Sequence, residues 1–204
     1  MTRTFIALEL NEALQRFLGE IISQASQALP ELRWVDPGGI HLTLVFLGEL
    51  NDEQLVEAIA AAEAAAHKAA PFEYRLKELG IFGSSSQPRV VWMGVEDLPY
   101  GKVQGSPLQL VHRVLSQELE LRGFEVEKRP FSPHLTLARI KQPLSPDAQQ
   151  RLQHLLQGGL AGLASAIYPV NTFCVMKSEF SRSGAKYTCL KECSFTKSNS
   201  DTLE

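Results

Sequence analysis

Two rhythms of apolar residues alternate along the chain. Leu14, Phe17, Leu18, Ile21, Ile22, Ala25 and Leu29 recur at helical spacing behind Asn11, which can cap a helix, and Pro30 closes the run. Leu55, Ile59 and Ala62 mark a second, Ala-rich helix between Asn51 and Pro71. Leu108, Val111, Leu115 and Leu119 mark a third, opened by Ser106-Pro107 with Gln109 and stopped by Gly123. Ser145-Pro146 opens a fourth, stopped by Gly158-Gly159. Between the helices, Thr4 to Leu10, His41 to Leu47, Glu73 to Ile81, Arg89 to Val95, Phe124 to Lys128, His134 to Ile140, Thr172 to Phe180 and Ala185 to Phe195 read as strands.

The order of these elements repeats. A helix, then the strand His41-Leu42-Thr43-Leu44, then a helix, a strand, a polar turn (Gly83 to Pro88) and a strand recur as a helix, His134-Leu135-Thr136-Leu137, a helix, a strand, the turn Ser181-Arg182-Ser183-Gly184 and a strand. The pattern predicts an α+β fold of two similar lobes with mostly antiparallel sheets. The lobes are related by a pseudo-twofold, with helices outside and a cleft between. No Pro- or Gly-rich linker separates them, so residues 1–195 read as one bilobal domain. The polar stretch 196–204 reads as a disordered tail.

Composition narrows the function. With 204 residues, 44% hydrophobic and 21% charged, the chain suits an ordinary globular protein. A net charge of −3 argues against a protein that coats nucleic acid, since phosphate neutralisation supplies that affinity. A nucleic-acid ligand would be held at an end or a single phosphate. No signal peptide or membrane span is visible, and a cytoplasmic location is expected. Cys174, Cys189 and Cys193 read as reduced thiols. Cys189 and Cys193 sit in a strand-like stretch without a nearby histidine, which is poor zinc spacing.

Only two of the five histidines share a context. One tetrapeptide, His-Leu-Thr-Leu, opens two strands in matching positions of the repeat, at 41–44 and 134–137. In a strand, residues two apart share a face. His41 and Thr43 therefore point one way, and His134 and Thr136 do the same in the other lobe, with Leu42, Leu44, Leu135 and Leu137 turned to a core. Two imidazoles meeting in one cleft can serve as general acid and general base. Threonine hydroxyls can donate to non-bridging phosphate oxygens. By the same parity Phe46 falls on the core side. His67, His112 and His154 have neither the spacing nor the repeat, and read as structural or surface residues. Arg89 and Trp92 read as an ordinary half-buried strand.

The doubled motif resembles the two-histidine phosphoesterase superfamily, and within it the RNA 2′,3′-cyclic phosphodiesterase branch, historically called bacterial 2′-5′ RNA ligase. The resemblance runs from Arg3-Thr4-Phe5-Ile6-Ala7 through His41 to Gly48, Pro88-Arg89-Val90-Val91-Trp92 and Arg129 to Arg139, and ends near Tyr187. It implies that His41 protonates the leaving O3′ while His134 activates water, which yields a 2′-phosphate. It further implies that Thr43, Thr136 and Arg139 hold the phosphate, although strand parity puts Arg139 opposite His134 unless the strand ends or bulges. No cofactor and no metal are expected, because each motif offers a single ligand. The expected partners are RNA ends or small cyclic-phosphate nucleotides, with no membrane, and a monomer suffices. The same residues would also serve 2′-5′ joining in reverse, and a non-catalytic RNA-end binder is the alternative of another class.

Overall fold

A computed structural model describes residues 1–98, 105–158, 166–181 and 184–196. Arg182 and Ser183 of the second turn, and 197–204 of the tail, lie outside the described residues. Each helix starts where its cap residue dictates. Asn11 Oδ1 accepts from Leu14 N at 2.8 Å and opens α1 (Glu12–Ala28). Asn51 and Gln54 form a reciprocal capping box at the start of α2 (Asp52–Ala66). Ser106 caps α3 (Pro107–Glu120) and Ser145 caps α4 (Pro146–Gln157), each with Pro in the first turn.

The strands are β1 (Thr2–Glu9), β2 (Arg33–Trp34), β3 (His41–Leu50), β4 (Phe72–Gly83), β5 (Pro88–Leu98), β6 (His134–Arg139), β7 (Ile167–Val170), β8 (Thr172–Ser181) and β9 (Gly184–Ser194). They form one sheet in the order β7-β4-β5-β6-β3-β1-β8-β9, with β2 also on β6, and every pairing is antiparallel. The main core lies under α1, α2 and α3, where Leu14, Leu18, Ala61, Ala62, Leu115 and Leu119 meet Ile6, Leu8, Leu42 and Leu135. The Ala face of α2 lets it approach α3 closely. On the opposite face of β1, and with no helix residue in it among the described residues, lies a second layer: Phe5 and Ala7 with Cys174 and Met176. That double covering explains why Thr4 through Leu8 are all buried and why Phe5 to Leu8 read as an unbroken apolar run.

The repeat is present, but a copy is not a lobe. The hairpin β4–β5, which follows the His41 strand in sequence, pairs with the His134 strand β6. The hairpin β8–β9, which follows β6, pairs with β1 beside β3. Each half of the sheet is thus assembled from both copies, and the halves meet at the single pair Leu42↔Leu135.

One local expectation is corrected, and two short strands, β2 and β7, are not expected from the sequence. Phe124 to Lys128 form no strand. Phe124 and Val126 still pack on the core, so their alternation reports burial and not pairing. β2 is too short to show a period. β7 carries Pro169, which an edge strand tolerates. Among the described residues no helix is long and apolar enough to cross a membrane.

One buried charge ties α2 to α3. Glu118 is 5% exposed and holds Lys68 Nζ at 2.5 Å and Arg122 Nη1 at 2.7 Å. Bonding to Lys68 and then Arg122 pulls its carboxyl below the usual range. Arg122→Ala is expected to lower stability by about 1–3 kcal/mol at neutral pH. A depressed carboxylate contributes fully above its unfolded pKa and loses that contribution as pH falls through the folded one. Urea unfolding at neutral and acid pH checks this, since an equal loss at both would exclude Glu118 as the source.

Candidate active site

β3 and β6 carry their motifs in the same way. From the histidine onward both read half-buried, buried, half-buried, buried, buried, exposed. At Leu42↔Leu135 the strands are antiparallel. Continuing that register by one residue each way sets His41 toward Thr136 and Thr43 toward His134. The four polar side chains therefore share the face opposite the two leucines, arranged about an axis through the leucine pair.

Both strands also bulge at the fourth motif residue. The β1–β3 ladder steps from Ala7↔Thr43 to Ile6↔Val45 and skips Leu44. The β5–β6 ladder steps from Trp92↔Thr136 to Val91↔Ala138 and skips Leu137. An extra residue reverses the alternation. Two adjacent residues turn inward in each strand, and the next returns to the histidine side. That corrects the core assignment of Phe46, which is 62% exposed and lies 6.2 Å from Phe5, itself 4.7 Å from His41 between ring centroids. It also removes the parity objection to Arg139, which is exposed and exerts a field on His41. Phe46 and Arg139 hold equivalent positions, so one half offers an aromatic face where the other offers a guanidinium.

Each imidazole is oriented by the backbone two residues before it. His41 Nδ1 lies 2.9 Å from Gly39 O, and His134 Nδ1 lies 2.8 Å from Ser132 O. A carbonyl only accepts, so each Nδ1 carries the proton and donates, leaving Nε2 for chemistry. The Gly39 carbonyl is set by a 3₁₀ turn over Pro37–Gly39 capped by Asp36.

Each ring is also walled by an aromatic from the exchanged hairpin. Tyr187 of β9 packs edge-on to His41 at 4.8 Å, and Phe82 of β4 packs edge-on to His134 at 4.7 Å. Sequence reasoning misses Phe5, which reaches His41 from the neighbouring strand β1; it leaves Tyr187 either bordering the cleft or only packing and misses Phe82, because those two contacts cross between copies. Their signal lay beside the two polar turns, where hairpin residues flank any cleft.

Burial lowers the His41 pKa first; the Gly39 carbonyl opposes this, Arg139 and His134 add to the lowering, and Glu9 opposes. Among the described residues no trio of metal-ligating side chains includes both histidines. The remaining histidines are engaged elsewhere: His67 with Thr196 at 2.9 Å, His112 stacked on Phe131 at 4.3 Å, and His154 in the last turn of α4. Arg89 is exposed, and Arg129 pairs with Glu127 at 2.5 Å.

Trp92 sits opposite Thr136 and 5.4 Å from Phe82. It lies flat against Gly80, where an added Cβ would penetrate its ring. Gly80→Ala is expected to displace Trp92 and destabilise by about 1–3 kcal/mol. It should disturb Phe82, and through it His134. Near-ultraviolet circular dichroism and urea unfolding check this; an unchanged aromatic signal would show that Trp92 does not depend on the glycine.

The chain is similar to known proteins in both sequence and fold. A protein of Thermotoga maritima called RNA 2′,3′-cyclic phosphodiesterase is 32% identical over 194 residues, which cover 95% of each chain. A Geobacillus stearothermophilus protein of the same name is 33% identical over 151 residues; the match covers 72% of this chain but 46% of that relative's length. A solved structure from Thermus thermophilus superposes with a TM-score of 0.75 at 29% identity, covering 95% of this chain and 97% of its own. The sequence family described as LigT-like phosphoesterase matches twice, over residues 8–92 and 103–187, one match for each copy of the repeat. With a motif strand in each matched half and a shared architecture, the chain belongs to the LigT-like phosphoesterase family.

Proposed function

We propose that the protein opens 2′,3′-cyclic phosphate ends of RNA to 2′-phosphomonoesters, without a metal, by acid–base catalysis between His41 and His134. The observation that carries this is the matched pair of imidazoles, each with Nδ1 fixed by a carbonyl and Nε2 without a hydrogen bond among the described residues, on two strands that meet at one residue pair. The names of the relatives support the substrate.

In this mechanism His134 Nε2 takes a proton from water. The resulting oxygen attacks phosphorus in line with the P–O3′ bond, which breaks. His41 gives its proton to O3′, and the phosphoryl group stays on O2′. Thr43 and Thr136 donate to the non-bridging oxygens, and Arg139 balances their charge. Burial favours neutral His41 in the free protein. The anionic phosphate, placed beside the ring, restores the protonated form that the step requires.

The test is incubation with an RNA ending in a 2′,3′-cyclic phosphate, with EDTA present. The expected product is a 2′-phosphate, resistant to a 3′-specific phosphomonoesterase. A 3′-phosphate would reverse the acid and base assignments. Activity lost in EDTA and restored by a divalent ion would overturn the metal-free reading.

A further inference from the structure

The geometry points to a second site that the phosphodiesterase reading does not use: Glu9, Cys174 and Cys189 form a binding site for a thiophilic divalent cation of the zinc class. Their ligand atoms all lie within 4.8 Å of one another, and Cys174 Sγ already donates to Glu9 Oε2 at 3.1 Å. Tetrahedral zinc, with Zn–S about 2.3 Å and Zn–O about 2.0–2.2 Å, holds neighbouring ligand atoms roughly 3.5–3.8 Å apart. Closing the trio onto an ion therefore needs movements of about 1 Å or less.

The sheet assembles this trio across three strands. Cys174 on β8 lies opposite Ala7 of β1, and Glu9 is two residues further along the same face. In regular pairing, Cys189 on β9 would face Lys177 and point away. The β8–β9 ladder instead steps from Val175↔Lys191 to Met176↔Cys189 and skips Leu190, which turns Cys189 onto the face of Cys174. Cys174 is buried, Cys189 half-buried and Glu9 exposed, so three vertices are held and the fourth opens outward to water. This is the ligand number of an open zinc site.

The charge balance favours a divalent ion. Glu9 brings one formal negative charge, and each cysteine binds a metal as its thiolate, giving up its proton to solvent. An M²⁺ ion entering with release of both thiol protons leaves the formal charge at −1, the value Glu9 alone carries. Affinity should therefore rise with pH by close to two protons per ion. The site adjoins the catalytic face, since Glu9 pairs with His41 across β1 and β3. Its ligands are nonetheless separate from the histidine pair.

The test is titration of the reduced full chain with Cd²⁺, read by the ultraviolet thiolate-to-metal band, and with Zn²⁺ against a chromogenic chelator. One ion per chain is expected. Cys174→Ser and Cys189→Ser should each abolish the band, and Glu9→Gln should weaken binding by about tenfold or more. Cys193→Ser should bind as the parent does, because Cys193 is buried in the main core. His41→Ala should also bind normally. Loss of binding in His41→Ala would place the ion on the catalytic histidines and overturn the proposal. So would a band that survives in both serine variants, an absence of one-to-one binding, or two thiols lost to a disulfide without metal uptake. None of these outcomes depends on RNA turnover.

Discussion

His41→Ala and His134→Ala are each expected to lower turnover of RNA 2′,3′-cyclic ends by about 10²–10⁴-fold, the range for losing one positioned acid or base. Both side chains are half-buried at strand starts, so truncation leaves the sheet intact, and far-ultraviolet circular dichroism should be unchanged. The two variants separate when the leaving atom is changed. With sulfur in place of the bridging 3′ oxygen, the leaving thiolate needs no proton. His41→Ala should recover most of the parent rate on that analogue, and His134→Ala should not. Rescue of His134→Ala instead would exchange their roles. The pH dependence carries a second signature of the same assignment. An acid must be protonated, and His41 is pushed below its ordinary 6.5 in the free protein. The fall of kcat/KM with rising pH should therefore begin below that value. The fall of kcat should lie at higher pH, because bound phosphate stabilises the imidazolium. Coincident falls would show that the phosphate does not sit beside His41.

Thr43→Val and Thr136→Val should each reduce kcat by about 10²-fold, the scale for one oxyanion donor. Valine keeps the shape and the strand preference, so the hydroxyl alone is removed. Under the register that sets His41 toward Thr136 and Thr43 toward His134, each hydroxyl works beside the other strand's imidazole. The threonine and histidine effects should therefore be coupled across the strands, Thr43 with His134 and Thr136 with His41, when the variants are combined. A rise in KM with kcat unchanged would assign the hydroxyls to ground-state binding only.

The motif face was legible because a strand alternates with period two and the same tetrapeptide occurs twice. Neither fact needs tertiary information. The bulges were not legible, since one skipped residue leaves the hydrophobic pattern almost unchanged. Their trace was the adjacent apolar pair after each threonine, Leu44-Val45 and Leu137-Ala138, and it sufficed to misplace Phe46 and to cast doubt on Arg139. The four helices announced themselves through caps and prolines, which act locally. The partners of each histidine strand did not, because β4–β5 and β8–β9 pair far from their neighbours in sequence. Glu9 and Cys174 meet for the same reason, from distant parts of the chain.

That crossing of hairpins changes what a half of this protein is. Residues up to the end of β5 carry His41 but not Tyr187, and they carry Phe82 without the imidazole it walls. The later residues hold the complementary remainder. Severed between the copies, the chain would yield two interlocking pieces, each missing what the other has, and neither would be a smaller working phosphoesterase. A one-copy ancestor with this wiring would have had to lend its hairpin to a twin, so the reaction would have begun as the property of a pair of molecules.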